Sequence, residues 1–275
     1  MGNEHQSLAG RKILVTGASS GIGADTALLL AERGATVGLV ARRVDRLDEV
    51  LERCRSHTPD SQRWVADLSD LATAAQVADD AWTAFGGLDA VVNNAAIPKR
   101  RRAIDLTIEE IEQVMRTNFL SPTQITLRLL PRLLEADHGV IVNVSSLAGR
   151  LGVPNEPAYA ASKFALCGWT ESLAIELAGT GVRVRLVLPG AIDTEIWDQP
   201  DNDPSFYDGP KEPAGDVALA IVRAIELADD AAGDGGPFET YVPDLKSVVE
   251  FKTTDADSYL AGAASFRDGE GWKTS

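Results

Sequence analysis

Short apolar segments alternate with helix-like segments along most of the chain. Seven of the apolar segments are strand-like: KILVTG, TVGLVA, QRWVAD, AVVNNA, GVIVNVS, VRVRLVLP and FETYVP. Most of them are apolar throughout rather than at every second residue, which is typical of strands buried between two layers of helices. The alternation predicts an α/β fold: a doubly wound, Rossmann-like parallel sheet.

The domain organisation follows from the same pattern. A chain of 275 residues with 44% hydrophobic content is expected to bury one core, so residues 1–275 are predicted as a single domain. Residues 1–9 form an extension before the first strand. Residues 194–213, rich in proline and aspartate, are predicted to be a lid inserted before the last helix and strand. The tail, 244–275, has a mixed pattern, and we expect it to be loosely ordered.

Two long helices lie between the strands in the middle of the chain. Thr107 and Glu110 fit a capping box, which predicts a helix that continues to Leu134. A second helix begins near residue 159 and ends near Gly179. Packed against the same helices of another copy, these two would form a four-helix interface, so we expect a homodimer or homotetramer.

Composition argues against several classes of protein. The formal net charge of −15 opposes binding to nucleic acid and to anionic membranes. The chain has no run of eighteen apolar residues, and its start lacks the layout of a signal peptide, which predicts a cytoplasmic protein. The histidines, His5, His57 and His138, lack metal-ligand spacing, so we expect no catalytic metal. Cys54 and Cys167 lie in helix-like segments and are expected to be buried.

The segment TGASSGIG directly follows the first strand and opens the first helix. In this context Gly17, Gly21 and Gly23 would let the backbone approach a pyrophosphate at the helix N-terminus. The spacing is GxxxGxG rather than GxGxxG, so the strand before it and the helix after it carry the prediction of dinucleotide binding.

The residues about twenty positions further on distinguish between cofactors. An acidic residue there would bind the adenosine ribose, whereas a basic one accommodates a 2′-phosphate. Arg42 and Arg43 therefore predict NADP(H) in preference to NAD(H). The alternative is that both arginines are solvated and pair with Asp45 or Glu49. Asp67, at the end of its strand, either accepts a hydrogen bond from the adenine or caps the next helix.

Tyr159 and Lys163 lie one helical turn apart, and Ser146 precedes Tyr159 by thirteen residues. Residues at i and i+4 share a helix face, so the ammonium lies beside the phenol. A phenol is a poor proton shuttle at neutral pH unless a cation stabilises its anion, so we expect Lys163 to lower the pKa of Tyr159. The alternative is a partly buried tyrosine and a solvated lysine. Ser145 is the rival of Ser146, but strand alternation turns it the other way.

Taken together, these motifs resemble the short-chain dehydrogenase/reductase family, over about residues 10–230. The matching segments occur in the family's order: TGASSGIG, NNAA at 93–96, Asn118, Ser146, YAASK at 159–163 and PGAIDT at 189–194. The resemblance implies that Ser146 holds a substrate carbonyl, that Tyr159 transfers the proton, and that Lys163 lowers the tyrosine pKa and binds the nicotinamide ribose. Asn118 would hold a water molecule in a proton relay.

The resemblance also implies a set of cofactor contacts. Thr194 would contact the nicotinamide carboxamide, and Asn94 with its neighbours would form the floor beneath the ring. The predicted cofactor-binding residues are Gly17, Ser19, Ser20, Gly21, Ile22, Gly23, Arg42, Arg43, Asp67, Leu68, Asn94, Ala95, Tyr159, Lys163, Pro189, Gly190, Ile192 and Thr194. Two features depart from the family: Ala96 replaces a common glycine, and a long polar tail follows the last strand.

The sequence thus predicts an NADP(H)-preferring carbonyl reductase that interconverts a secondary alcohol and a ketone. The alternatives are a catalytically silent NADP(H)-binding sensor or scaffold, and a member that prefers NAD. An enzyme acting on nucleotide sugars is a further rival, but about sixty residues after the lid are too few for its substrate domain.

The sequence gives conflicting hints about the substrate. Trp197, Phe206 and Tyr207 in the lid predict an apolar pocket wall, and the lid aspartates disfavour anionic substrates. The basic run at 99–102 either lies on the rim of the site or is a solvated loop.

Overall fold

Seven parallel strands form the central sheet in the computed structural model, which describes residues 7–228 and 235–265. Two short strands outside this sheet bring the described strands to nine. They are β1 (Lys12–Thr16), β2 (Thr36–Ala41), β3 (Gln62–Val65), β4 (Ala90–Asn93), β5 (Gly139–Val144), β6 (Val182–Pro189), β7 (Ile192–Asp193), β8 (Glu212–Pro213) and β9 (Glu239–Val242). The order across the sheet is β3-β2-β1-β4-β5-β6-β9, while β7 and β8 pair with each other at the two ends of the lid segment.

Helices cover both faces of the sheet. They are α1 (Gly21–Glu32), α2 (Val44–Arg55), α3 (Leu71–Phe85), α4 (Ile108–Met115), α5 (Ser121–Glu135), α6 (Pro157–Glu176), α7 (Ala214–Ala228), α8 (Lys246–Thr254) and α9 (Ala256–Ser265). Successive strand residues point to opposite faces. Ile13 therefore belongs to the core under α1, α2 and α7, and Leu14 to the core under α3, α5 and α6. The predicted doubly wound sheet is confirmed.

The predicted helix over 108–134 is interrupted. A π-helical turn at Arg116–Leu120 separates α4 from α5, and hydrophobic periodicity gave no sign of it. The predicted capping box is present, with Thr107 Oγ1 accepting from the Glu110 backbone N–H at 3.3 Å and Glu110 Oε2 accepting from the Thr107 N–H at 3.0 Å. Both cysteines are buried, as predicted.

The expectation of a loosely ordered tail is wrong for residues 246–265, which form α8 and α9. Their contacts with the rest of the molecule explain the order. The Tyr259 hydroxyl donates to the Gly152 carbonyl at 2.8 Å, and Lys252 Nζ lies 5.5 Å from the centre of the Phe164 ring. Residues 266–275 and 1–6 lie outside the described part of the chain. None of the helices that the structure describes is long and apolar enough to cross a membrane.

A buried polar network joins the central strands to α6. Asn93 at the end of β4 donates to Asn143 Oδ1 at 2.8 Å, and Asn143 donates to Thr170 Oγ1 at 2.9 Å. All three residues are almost fully buried. Because a buried polar group without a partner is costly, the network fixes α6 relative to the carboxyl ends of β4 and β5.

Candidate active site

The candidate site is a cleft at the carboxyl ends of the parallel strands. The strand order reverses between β1 and β4, and the loops after these two strands leave the sheet in opposite directions. Such a switch point is where open α/β sheets bind ligands. Nearly all the residues predicted to bind cofactor line the cleft: Gly17, Ser19, Ser20, Gly21, Ile22, Arg42, Arg43, Asp67, Leu68, Asn94, Ala95, Tyr159, Lys163, Pro189, Gly190, Ile192 and Thr194.

The glycine turn is shaped by its contact with the end of β4. Gly17 has φ +70°, and a Cβ there would lie 2.9 Å from Ala95 Cα. Gly23 does not line the cleft, but a Cβ at this position would lie 2.2 Å from the Gly17 carbonyl oxygen. The N-cap residue of α1, Ser20, makes no side-chain capping bond. The first amides of α1 are therefore left for an anionic ligand.

The two arginines after β2 have different surroundings. Arg43 Nη2 donates to Ser20 Oγ at 2.6 Å, and its Nη1 pairs with Glu195 Oε2 at 2.6 Å. Arg42 is exposed and has no side-chain partner in the described part of the chain. Neither arginine pairs with Asp45 or Glu49, so the alternative partners named from sequence are wrong.

Asp67, two residues after β3, does not cap the next helix. Asp67 Oδ1 accepts from the Ser69 backbone N–H at 3.0 Å, and the N-cap of α3 is Asp70, whose side chain accepts from the Ala72 N–H at 3.1 Å. Asp67 is exposed at the rim of the cleft. Of the two sequence-based alternatives, contact with the adenine is the one left as a prediction.

Lys163 is buried at the end of the cleft that Tyr159 lines. Its side chain is 2% exposed, and Nζ donates to the Val144 carbonyl at the end of β5 at 3.0 Å. Nζ also lies 5.7 Å from the centre of the Tyr159 ring. Burial lowers the pKa of Lys163 to about 8. A solvated lysine, the alternative considered from sequence, is excluded by this burial.

Ser146 and Ser145 point to different places. Ser146 Oγ accepts from the Ala148 backbone N–H at 3.1 Å and donates to the Pro189 carbonyl at 3.4 Å, at the floor of the cleft. Ser145 Oγ donates to the Lys163 carbonyl at 3.1 Å and lies 3.2 Å from Cys167 Sγ. Ser145 is therefore bound to the inner side of α6, as strand alternation predicts.

The net effect of the protein is to raise the pKa of Tyr159. Burial raises this pKa most, the Glu156 carboxylate raises it further, and the hydrogen bond with Ser146 lowers it. The expected lowering by Lys163 is not met, because burial is the largest cause of the shift and Lys163 is not among the groups that change this pKa. The phenol is neutral at physiological pH, as a proton donor requires.

Asn118 lies in the π-helical turn and is buried behind the cleft wall. Its Oδ1 accepts from the Ile97 N–H at 2.8 Å, and its Nδ2 donates to the Ile97 carbonyl at 3.0 Å and to Ser162 Oγ at 3.1 Å. The side-chain amide therefore joins the loop after β4 to α6. The water relay expected at Asn118 stays a prediction.

Ala96 lines the cleft. Many members of the family that the sequence resembles have glycine at this position. Ala96 is not among the non-glycine residues with positive φ, which in the described ranges are Asp137, Asn155 and Asp201. An alanine therefore fits this backbone without strain.

The basic run at 99–102 fastens the lid, a role that the sequence analysis missed. Arg100 is 3% exposed, and its guanidinium donates to the carbonyls of Ile196, Trp197 and Asp203 at 3.2, 2.6 and 3.1 Å. Lys99 Nζ donates to the Asp201 carbonyl at 3.1 Å. Of the two sequence hypotheses, the solvated loop is wrong for Arg100, which is buried, whereas a position near the site is correct, because Arg100 also lines the cleft. The sequence carried no signal for these contacts, because they are made to backbone carbonyls about a hundred residues away.

Aromatic and polar side chains of the predicted lid, 194–213, line part of the cleft. Trp197 Nε1 donates to the Ile192 carbonyl at 2.6 Å, and its ring stacks with Tyr207 at 6.3 Å between centroids. Ile196, Trp197 and Gln199 line the cleft. These three lid residues therefore contribute two apolar side chains and one polar side chain to the lining of the cleft.

Glu156 is a second site residue that the sequence analysis missed. It lines the cleft as the N-cap residue of α6, three residues before Tyr159. Burial raises its pKa to about 7, although the nearby Arg100 lowers it. An acid one turn before the tyrosine of the motif was the signal available in the sequence.

This raised pKa predicts a pH dependence of stability. Since the folded state binds the Glu156 proton more tightly than the unfolded state, the stabilisation is complete below about pH 4.5 and is lost as the pH rises to about 7. The free energy of unfolding of wild type should fall relative to that of Glu156→Gln by about 2–3 kcal/mol over this range. Urea unfolding at several pH values measures the difference, and parallel pH profiles for the two proteins would contradict the assignment.

Comparison with known proteins agrees with this geometry. The family model described as short chain dehydrogenase matches residues 11–204. The chain is 33% identical to the 3-oxoacyl-[acyl-carrier-protein] reductase FabG of Thermotoga maritima, over 95% of this chain and 98% of the relative. It is 36% identical to the uncharacterized oxidoreductase YxnA of Bacillus subtilis, over 78% of this chain but 62% of the relative's length.

Two solved structures are also similar. A metagenomic short-chain oxidoreductase in complex with NADP matches with a TM-score of 0.73 and 31% identity, over 86% of this chain and 98% of that one. A Burkholderia phymatum short-chain dehydrogenase/reductase in complex with NAD matches with a TM-score of 0.80 over 92% and 96% of the two chains, and its 24% identity supports the fold alone. The chain is a member of the short-chain dehydrogenase/reductase family of oxidoreductases, with the nicotinamide-dinucleotide-binding fold of that family.

Proposed function

We propose that this protein is an NADP(H)-preferring oxidoreductase that interconverts a secondary alcohol and a ketone. The observation that carries the proposal is the meeting of Ser146, Tyr159 and Lys163 in one cleft, which continues past the uncapped N-terminus of α1 to Arg42 and Arg43. The ketoacyl reductase named above, aligned over nearly the whole chain, supports a carbonyl substrate. We regard the whole chain as one catalytic domain, with 194–213 as its substrate lid.

The cleft fits a nicotinamide dinucleotide. The free amides at the start of α1 would hold the pyrophosphate, and Arg42 and Arg43 the 2′-phosphate. Lys163 would bind the nicotinamide ribose, and Thr194 the carboxamide. The bound cofactor supplies a hydride to the carbonyl carbon, or accepts one in the reverse direction.

The side chains of this protein would handle the proton. In reduction, Tyr159 donates its hydroxyl proton to the developing alkoxide while Ser146 donates a hydrogen bond to the same oxygen. The phenolate that forms lies beside the Lys163 ammonium, whose positive charge stabilises it. In oxidation the same groups act in the opposite sense. Trp197 and Ile196 would cover an apolar part of the substrate and keep water out.

The alternatives predict different behaviour. A sensor or scaffold would bind the cofactor without turnover, and the intact Ser146, Tyr159 and Lys163 argue against it. An NAD-preferring enzyme would leave Arg42 and Arg43 without a role in binding. Substituting each arginine with glutamine and comparing the binding of NADPH with that of NADH separates an NADP(H)-preferring protein from an NAD-preferring one.

Removal of the Tyr159 hydroxyl tests the proposed chemistry. With NADPH and a panel of ketones and aldehydes, Tyr159→Phe should lower turnover by at least ~100-fold, because the general acid is lost, while NADPH affinity barely changes. The decrease in nicotinamide absorbance reports turnover, and cofactor fluorescence reports binding. Tyr259→Phe, a change on α9 away from the cleft, is the matched control and should keep full activity. Near-normal turnover by Tyr159→Phe would rule out the assignment.

We also propose self-association through α4, α5 and α6. Leu120, Leu127 and Leu134 are spaced at seven residues and are exposed, as are Phe164 and Ile175 on α6. Exposed apolar residues in such a row are typical of a helical interface.

The mass in solution tests this association. Wild type should have the mass of a dimer or tetramer by light scattering, and Leu127→Glu should shift it towards the monomer, because a carboxylate would be buried without a partner. Val65→Glu, an equally exposed position on the edge strand β3, should leave the mass unchanged. A monomeric wild type would refute the proposal.

A further inference from the structure

Glu195, the lid residue after Thr194, pairs with Arg43, which we assign to the cofactor, and with Arg46. Glu195 Oε2 pairs with Arg43 Nη1 at 2.6 Å, and Glu195 Oε1 pairs with Arg46 Nη1. Hydrogen bonds from Arg43 and Arg46, and their positive charges, lower the pKa of Glu195. Glu195 therefore carries a full negative charge at physiological pH.

Arg43 is held at the mouth of the cleft by three partners. Its Nε and Nη2 donate to Ser19 Oγ at 3.3 and 3.2 Å, its Nη2 donates to Ser20 Oγ at 2.6 Å, and its Nη1 is taken by Glu195. All these groups except Arg46 line the cleft that we assign to the cofactor. The carboxylate thus occupies the donor that a 2′-phosphate would need for a bidentate contact.

We infer that Glu195 determines cofactor specificity: its carboxylate competes with the 2′-phosphate of NADP(H) for Arg43. The inference rests on the proposed placement of that phosphate beside Arg42 and Arg43. NAD(H) lacks the phosphate and leaves the Glu195–Arg43 pair intact. Binding of NADP(H) breaks the Glu195–Arg43 pair, and Glu195 then remains paired only with Arg46.

The competition has two consequences. The selectivity for NADP(H) is smaller than the two arginines would give without Glu195. The start of the lid also responds to the phosphate, because Glu195 loses one of its two arginine partners there, while Arg100 still holds the carbonyls of Ile196 and Trp197. Because the paired side chains are 39–51% exposed, solvent screens the ion pairs and the effect on affinity is moderate.

Calorimetric titration of the full chain with NADP+ and with NAD+, at low ionic strength, tests the inference. Glu195→Gln keeps the size of the side chain and removes its charge. It should bind NADP+ about three- to ten-fold more tightly than wild type, because competition and phosphate repulsion are lost, and should bind NAD+ as wild type does. Added salt should shrink the gain.

Asp193→Asn is the matched control. It removes the same charge two residues earlier, from an exposed side chain that forms no ion pair with an arginine in the described part of the chain, and it should leave the ratio of the two dissociation constants close to that of wild type. A double-mutant cycle adds a second measurement: in an Arg43→Gln background, Glu195→Gln should no longer improve NADP+ binding selectively.

The outcomes are distinct. If the ratio of the NADP+ and NAD+ dissociation constants is the same in Glu195→Gln as in wild type, the inference is overturned, even when both constants change. An equal change in Asp193→Asn overturns it as well, because any nearby charge would then suffice. If wild type binds both cofactors equally, the proposed NADP(H) preference fails, yet a selective gain in Glu195→Gln still supports the role of Glu195.

Discussion

The arrangement of the site depends on the buried ammonium of Lys163. A charge in this position is poorly solvated, which its pKa of about 8 reflects, and the Val144 carbonyl at the end of β5 satisfies it. That hydrogen bond ties the first turns of α6 to the strand from which Ser146 emerges two residues later. Tyr159, one turn before the lysine, is consequently held over the same strand end. The sheet, rather than a loop, sets the distances in the site.

Charge complementarity organises the rest of the cleft. The protein is strongly acidic, and several of its arginines hold the acidic lid in place. Arg100 binds lid carbonyls from within the protein, and Arg43 and Arg46 bind Glu195 at the lid's start. The lid is therefore linked to both ends of the cleft, the end lined by Tyr159 and the end that we assign to the 2′-phosphate.

The sequence predicted those features that depend on local spacing. The parallel sheet follows from its buried strands, and the shared helix face of Tyr159 and Lys163 follows from four residues of separation. Contacts between distant loops could not be predicted from the sequence, because no periodicity relates Arg100 to carbonyls about a hundred residues away, or Arg43 to Glu195. The direction of the Tyr159 pKa shift was wrong for a similar reason: it depends on burial, which only the folded chain defines.

Hydride transfer to a carbonyl carbon, coupled to a proton from Tyr159, is the central claim. The most direct measurement uses NADPH deuterated at both C4 positions, a ketone that the enzyme turns over, and mass spectrometry of the product. The account predicts a secondary alcohol that carries one deuterium on its carbinol carbon. Oxidation of the cofactor without deuterium in the product, or tight cofactor binding with no transfer to any ketone tested, would contradict it.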